Sequence, residues 1–193
     1  MGLITSTLKR VLPLEGPYPL TADRLTAALS GRPSVTGRSV SPEGALGIPA
    51  VYSCVRVLTD NVASLPLMLL RRLPTRGKER ATDHPLYPIL HDAPNPHMTA
   101  YQFKETLMGH LLLWGNAFAE IVRNPDGQVA ALWPLRPNDM QKITLAQSGG
   151  LVYHYRHPRE QRYVELRQDQ VLHLRGLAND GIRGYSPITL HRE

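Results

Sequence analysis

Leu112-Leu-Trp-Gly-Asn116 marks the place where the periodicity of this chain changes, and the fold class follows from reading both ways from it. Upstream, Phe103, Leu107, Leu111 and Trp114 recur at three- and four-residue steps, the repeat of one helical face. Thr99 followed by Gln102 is a capping-box pattern that places the start of this helix, and Gly115 stands where a left-handed residue would end it. Downstream, Asn116 to Arg123 and Gln128 to Leu135 are short apolar-rich runs joined by Asn124-Pro-Asp-Gly127. Proline presets one turn dihedral and glycine accepts a positive one, so the two runs read as a β-hairpin.

Working outward, Ser41-Pro42-Glu43 has the form of a helix start. From Pro49, the residues Val51, Val55, Leu58, Val62 and Leu65 repeat at helical steps and predict one apolar face. Pro66 ends that helix by disfavouring the helical conformation at Leu65. Leu67 to Arg72 reads as a strand entering a basic turn near Gly77, and Pro85 to His91 as a short helix. Ala93-Pro-Asn-Pro96 is then a rigid corner, because each proline lacks an amide donor and restrains the residue before it. Further strands are predicted at Met140 to Leu145, Leu151 to His157, Arg162 to Leu166 and Val171 to Leu174, with turns at Ser148-Gly-Gly150 and Pro158-Arg-Glu160. The expected class is α+β: N-terminal helices followed by a mainly antiparallel sheet. Residues 1 to 40 mix Pro, Gly, Ser and Thr without a sustained apolar period, apart from a short stretch near Ala22 to Leu29, and predict a flexible arm ahead of one domain over 41 to 193.

The 193 residues are 42% hydrophobic and 20% charged, with 17 prolines and 15 glycines, which describes a globular domain rich in turns. No apolar run reaches the roughly 18 residues needed to cross a bilayer, and the N-terminus lacks the apolar core of a signal peptide. A soluble, intracellular chain with no membrane partner is expected. The lone cysteine, Cys54, cannot form an internal disulfide and is expected to be a buried small side chain. The net charge of +6, from 22 Lys and Arg against 16 Asp and Glu, favours polyanions by long-range attraction. The cations nevertheless form no dense stripe with interleaved aromatics, and Arg71, Arg72 and Arg76 read as solvated surface. No DNA-contacting residue is assigned.

Catalytic chemistry finds little support. There is no Gly-rich loop ending in Gly-Lys-Ser/Thr, so ATP-driven motor activity has no visible site. Ser186 lies in Gly184-Tyr-Ser-Pro187, but a nucleophile elbow needs glycine where Ile188 stands. Ser186 is expected to cap a following helix, and a triad of Ser186, His173 and Asp180 is set aside. Asp139, Glu165 and Asp169 look like turn or surface charges. His154 and His157 would point to opposite faces of a strand, so no metal site is expected, and no cofactor either. His173, between Leu172 and Leu174, reads as a hydrogen-bonded structural histidine. Trp114 and Trp133 are expected to pack rather than to stack on bases. With Asn116, His173 and Tyr185 they form the expected set of packing or interface anchors.

Five signatures stand in fixed order: Leu90-His-Asp-Ala-Pro-Asn-Pro96, Leu112-Leu-Trp-Gly-Asn116, Trp133-Pro-Leu-Arg-Pro137, Leu172-His-Leu-Arg-Gly176 and Asp180-Gly-Ile-Arg-Gly-Tyr-Ser-Pro187. With Ala50-Val-Tyr-Ser-Cys-Val55, Ala63-Ser-Leu-Pro66 and Asp83-His-Pro-Leu86, they resemble the N-terminal half of portal proteins of long-tailed double-stranded DNA bacteriophages, over about residues 41 to 190. The resemblance implies a wing-like region of a subunit that assembles with its own copies, usually twelve, into a ring at one capsid vertex. Such a ring nucleates assembly with scaffold and major capsid proteins, docks the large terminase subunit, passes double-stranded DNA and joins the tail through a head-tail adaptor. It implies a location in the virion, and in the host cytoplasm during assembly, and no enzymatic activity. The chain departs from the family by stopping at Glu193, with no counterpart of the stem, clip, tunnel loop and crown. A truncated prophage product or a fragment is therefore expected. The alternatives are a structural or regulatory protein that binds full-length portal subunits, and a small hydrolase.

Overall fold

The computed structural model describes residues 40–147, 149–158, 162–178 and 180–191. The arm expected over residues 1 to 40 lies outside the described residues save for Val40, as do Ser148 and most of the turn at Pro158-Arg-Glu160. Ser41 opens α1 (Pro42–Ala45), its Oγ accepting the Gly44 N–H at 3.0 Å. A second helix, α2 (Pro49–Ser64), starts on proline and ends before Pro66. A small hairpin of β1 (Leu70–Arg72) and β2 (Lys78–Arg80) follows, then α3 (Leu86–His91) and α4 (Ala100–Trp114). The strands β3 (Asn116–Arg123), β4 (Val129–Leu135), β5 (Met140–Leu145), β6 (Leu151–Arg156), β7 (Tyr163–Arg167) and β8 (Val171–Arg175) come next, and α5 (Pro187–Leu190) is the last described element.

The strands form two three-stranded antiparallel sheets, ordered β4-β3-β8 and β5-β6-β7, beside the β1-β2 hairpin, rather than one sheet. Strand-period reasoning finds strands but not their partners, and β8 returns across the whole second sheet to pair with β3. β3 is the shared wall. Its Ala117 and Ala119, fully buried, pack with Leu132 against Phe103 and Leu107 of α4. Phe118 points the other way and joins Leu135, Met140, Tyr153, Tyr155, Leu166 and Val171 between the sheets. The alanines let α4 approach the sheet closely. Each large side chain buried this way contributes roughly 1.5–3 kcal/mol.

Local signals in this region behave as their chemistry predicts. The capping box at Thr99 and Gln102 forms in both directions, and Gly115 ends α4 at φ +69°. In the β3–β4 turn, Gly127 adopts φ +79° and Asn124 Oδ1 accepts the Gln128 N–H at 2.8 Å. The Ala93-Pro-Asn-Pro96 corner is pinned to β4: buried Asn95 donates Nδ2–H to Leu132 O at 2.8 Å, and the Leu132 N–H donates to Pro94 O at 2.8 Å.

α2 corrects the sequence expectation. The residues it buries are Thr59 and Ala63; of the expected face Val51 and Val55 are half-buried, while Leu58, Val62 and Leu65 are 48%, 40% and 64% exposed. The helix has two apolar faces, and it turns the small one to α4: a Cβ on Gly109 would stand 3.8 Å from Thr59 Cγ2, so the two helices nearly touch there. Close approach brings more atoms into dispersion contact than large side chains held apart would. Cys54, expected to be buried, is exposed for the same reason, since it lies off the Thr59–Ala63 face.

Leu107→Ala, at a position 5% exposed, is expected to cost about 2–5 kcal/mol, and Leu58→Ala less than about 0.5 kcal/mol. Urea unfolding of the two variants tests this orientation of α2, and equal costs would reverse it.

Candidate functional site

Three of the five signatures converge in space because two chain reversals, one after α4 and one before α5, meet the end of β8. Gly115 ends α4 in the left-handed region and its carbonyl accepts the Gly176 N–H at 2.9 Å. The Asp180–Ser186 segment crosses the same point, held by Tyr185 N–H to Leu177 O at 2.8 Å and Ser186 Oγ–H to Leu113 O at 2.6 Å. Contact is so close that a Cβ on Gly115 would fall 1.8 Å from Tyr185 O, and one on Gly184 2.0 Å from Gly115 O. Only hydrogen fits at either α-carbon.

Asn116, 3% exposed, fills the centre of this junction. Its Oδ1 accepts from Gly184 N–H at 2.8 Å and from His173 Nε2 at 3.1 Å, and its Nδ2 donates to Gly184 O at 2.7 Å and Trp114 O at 3.0 Å. All four hydrogen-bonding positions of the amide are used. The two backbone groups of Gly184 fix which end of the amide is oxygen, and so His173 must carry its proton on Nε2. Its Nδ1 then accepts from the Tyr153 hydroxyl at 3.3 Å. The ring lies against Phe118, centroids 4.4 Å apart and planes tilted by 32°. Burial, and then the nearby Arg175 and Arg183, push the His173 pKa down to about 4, so the imidazole is neutral at pH 7.

Three of the sequence-expected anchors, Asn116, His173 and Tyr185, therefore meet at one junction, although Tyr185 enters by its backbone and leaves its side chain 38% exposed. Trp114 contributes its carbonyl, while its indole donates to Asn138 Oδ1 at 2.6 Å and meets His110 edge-on. Trp133 stands apart, against the His97 ring at 5.6 Å. Gly184, read from the sequence only as part of a turn, and Tyr153, not singled out there, complete the network, since their role depends on contacts between distant segments.

The polar residues considered for catalysis are committed elsewhere. Ser186 Oγ caps α5 and bonds Leu113 O; His173 bonds Asn116 and Tyr153; and the Asp180 carboxylate accepts the Ile182 and Arg183 N–H groups at 2.8 and 3.1 Å. Those backbone donors hold its pKa below the usual carboxylate range. His154 lies between Thr144 and Glu165. Among the described residues no group of three His, Cys, Asp or Glu could hold a metal ion, and no helix is long and apolar enough to cross a membrane.

Asn116→Ala strands two Gly184 groups and the Trp114 carbonyl, and is expected to cost at least about 3 kcal/mol. Gly115→Ala combines a left-handed backbone with overlap and should cost more than Gly127→Ala, whose φ is equally positive but whose Cβ would meet nothing within 4 Å. Denaturant titration of the three variants measures both effects. His110 is also pushed down to about 4 by burial. With both folded-state values depressed, the unfolded chain binds more protons between pH 6.5 and about 4. Stability present above pH 6.5 is therefore lost as pH falls through that window, and removing His110 (His110→Leu) should flatten the loss measured by urea midpoints at pH 7 and 4.5.

The family model for phage portal proteins matches residues 49–193. The chain is 30% identical over 164 residues to the portal protein of Enterobacteria phage HK97, covering 84% of this chain and 38% of that protein. It is 35% identical over 123 residues to protein BeeE of Escherichia coli K12, covering 64% and 77%. In structure it is similar to a chain from the neck of an empty gene transfer agent particle, with TM-score 0.63 and 25% identity over 88% of this chain and 46% of that one. A chain of the native gene transfer agent virion shares the fold, with TM-score 0.57 at 19% identity over 89% and 45%. The chain thus spans well under half the length of the HK97 protein it matches. A family match that takes in every described element from α2 onward, on a fold shared with particle-neck chains, shows that this chain belongs to the phage portal protein family.

Proposed function

We propose that the chain supplies the wing-like part of a portal subunit, a structural and non-enzymatic role in the ring at a capsid vertex through which double-stranded DNA enters and leaves. The match to the family model over residues 49–193 carries this reading. The partners that follow are further copies of the chain, the large terminase subunit, scaffold and major capsid proteins, and a head-tail adaptor, with assembly in the host cell and residence in the virion. One feature of the fold supports a role in assembly: Val62 and Leu65 of α2 continue into Leu67 and Met68 as an exposed apolar surface. A surface of this kind marks contact with other protein.

Negative-stain electron microscopy of the longest protein expressed from the uninterrupted reading frame, beside the 193-residue chain, tests the reading. Rings with a central channel are expected from the longer product. Its Val62→Asp/Leu65→Asp variant should keep the thermal midpoint of the wild type and lose the rings, because exposed positions contribute little to the isolated fold. A longer product that stays monomeric, and that fails to co-purify with full-length portal subunits, would overturn the proposal.

A further inference from the structure

The β1-β2 hairpin and its turn, residues 70 to 80, hold five cations and one carboxylate. Its register pairs Leu70 with Arg80, Arg71 with Glu79 and Arg72 with Lys78. Directly opposed residues of an antiparallel pair share a face, and neighbours along a strand alternate. One face therefore carries Arg71 and Glu79, 3.7 Å apart, with Asp83 bidentate on Arg71 at 2.8 and 2.9 Å. That face is neutralised. The other carries Leu70, Arg72, Lys78 and Arg80, and Arg76 lies in the turn beside it.

All six strand residues are exposed. Among the described residues none of Arg72, Arg76, Lys78 and Arg80 has an ion-pair partner. Arg72 and Lys78 face each other with Cβ atoms about 5 Å apart, an arrangement that is destabilising for like charges. Every carboxylate of the hairpin region is directed to the opposite face. An external polyanion would relieve this repulsion.

We infer that the Arg72/Lys78/Arg80 face of the β1-β2 hairpin is a contact site for the phosphate backbone of duplex DNA. A protein partner suits it poorly, since the face offers one leucine and no aromatic anchor for the centre of an interface. Single strands suit it poorly as well, because the hairpin has no ring on which a base would stack. Exposed Arg and Lys without base-reading geometry match phosphate contacts, which position a duplex without reading its sequence. The choice of DNA among polyphosphates rests on the portal reading, while the cationic face itself does not. The site is separate from the apolar face of α2, so ring formation and DNA contact are separately testable.

The test is fluorescence anisotropy of a labelled duplex of about 20 base pairs with the 193-residue chain. With three phosphates neutralised, affinity should fall about 40-fold between 50 and 200 mM salt and should not depend on sequence. The Arg72→Gln/Lys78→Gln/Arg80→Gln variant should keep the wild-type thermal midpoint, bind at least tenfold more weakly and lose most of the salt dependence. Arg72→Lys/Arg80→Lys should retain binding. Lys142→Gln/Arg167→Gln/Arg183→Gln removes the same charge from other surfaces and should also retain it. Equal loss in that control would reduce the effect to net charge and overturn the site. Tighter binding to polyglutamate or to single-stranded DNA than to the duplex would overturn the assigned partner. Failure of the longer product to form rings would leave this result standing, and would bear only on the portal reading.

Discussion

Everything past α4 depends on one contact: the chain after β8 crosses the C-terminus of α4 with no room for a β-carbon on Gly115 or Gly184. Such an approach leaves backbone donors and acceptors facing each other inside the protein, and these must be paired. The Asn116 amide pairs them, taking both groups of Gly184 and the Trp114 carbonyl while presenting its oxygen to His173. Through His173 and Tyr153 the same network reaches the second sheet. The helix, β8, the Asp180–Ser186 loop and the β5-β6-β7 sheet are thereby held in one arrangement. Burial keeps that histidine neutral at pH 7, so its Nδ1 accepts from the Tyr153 hydroxyl.

The geometry on the other side of α4 is set by size rather than by polarity. Thr59 allows α2 to lie close to Gly109, Ala63 is buried on the same face, and Leu58, Val62 and Leu65 are left largely exposed. A monomer gains stability from the close contact and keeps an apolar surface that water disfavours. That surface and the bare face of the β1-β2 hairpin differ in chemistry: one is apolar and the other cationic.

Much of the fold was legible in the residues. The capping box at Thr99, the stop at Gly115, the Asn124–Gly127 turn and the alternation of β3 are local devices, each determined within a few residues, and strand limits from Met140 onward agree to within a residue or two. The short β2 strand was missed because Lys78-Glu79-Arg80 has no apolar period at all. The buried face of α2 was misjudged because hydrophobic period ranks faces by apolarity, whereas packing ranked them by how closely a neighbour can approach. The cationic face escaped notice because its members alternate with neutralised residues along the chain and come together only when two strands are set in register.

By itself the sequence determined most of the element types, the turn at Asn124–Gly127, the α+β class and the portal resemblance, since each rests on local dihedral preferences or on motifs in order. Only the tertiary structure decided that the strands divide into two sheets, which side of α2 is buried, and that Gly115, Asn116, His173 and Gly184 meet. Those facts depend on pairings such as that of Asn116 with Gly184, 68 positions apart. Such pairings arise from packing and register, and no window of neighbouring residues contains them.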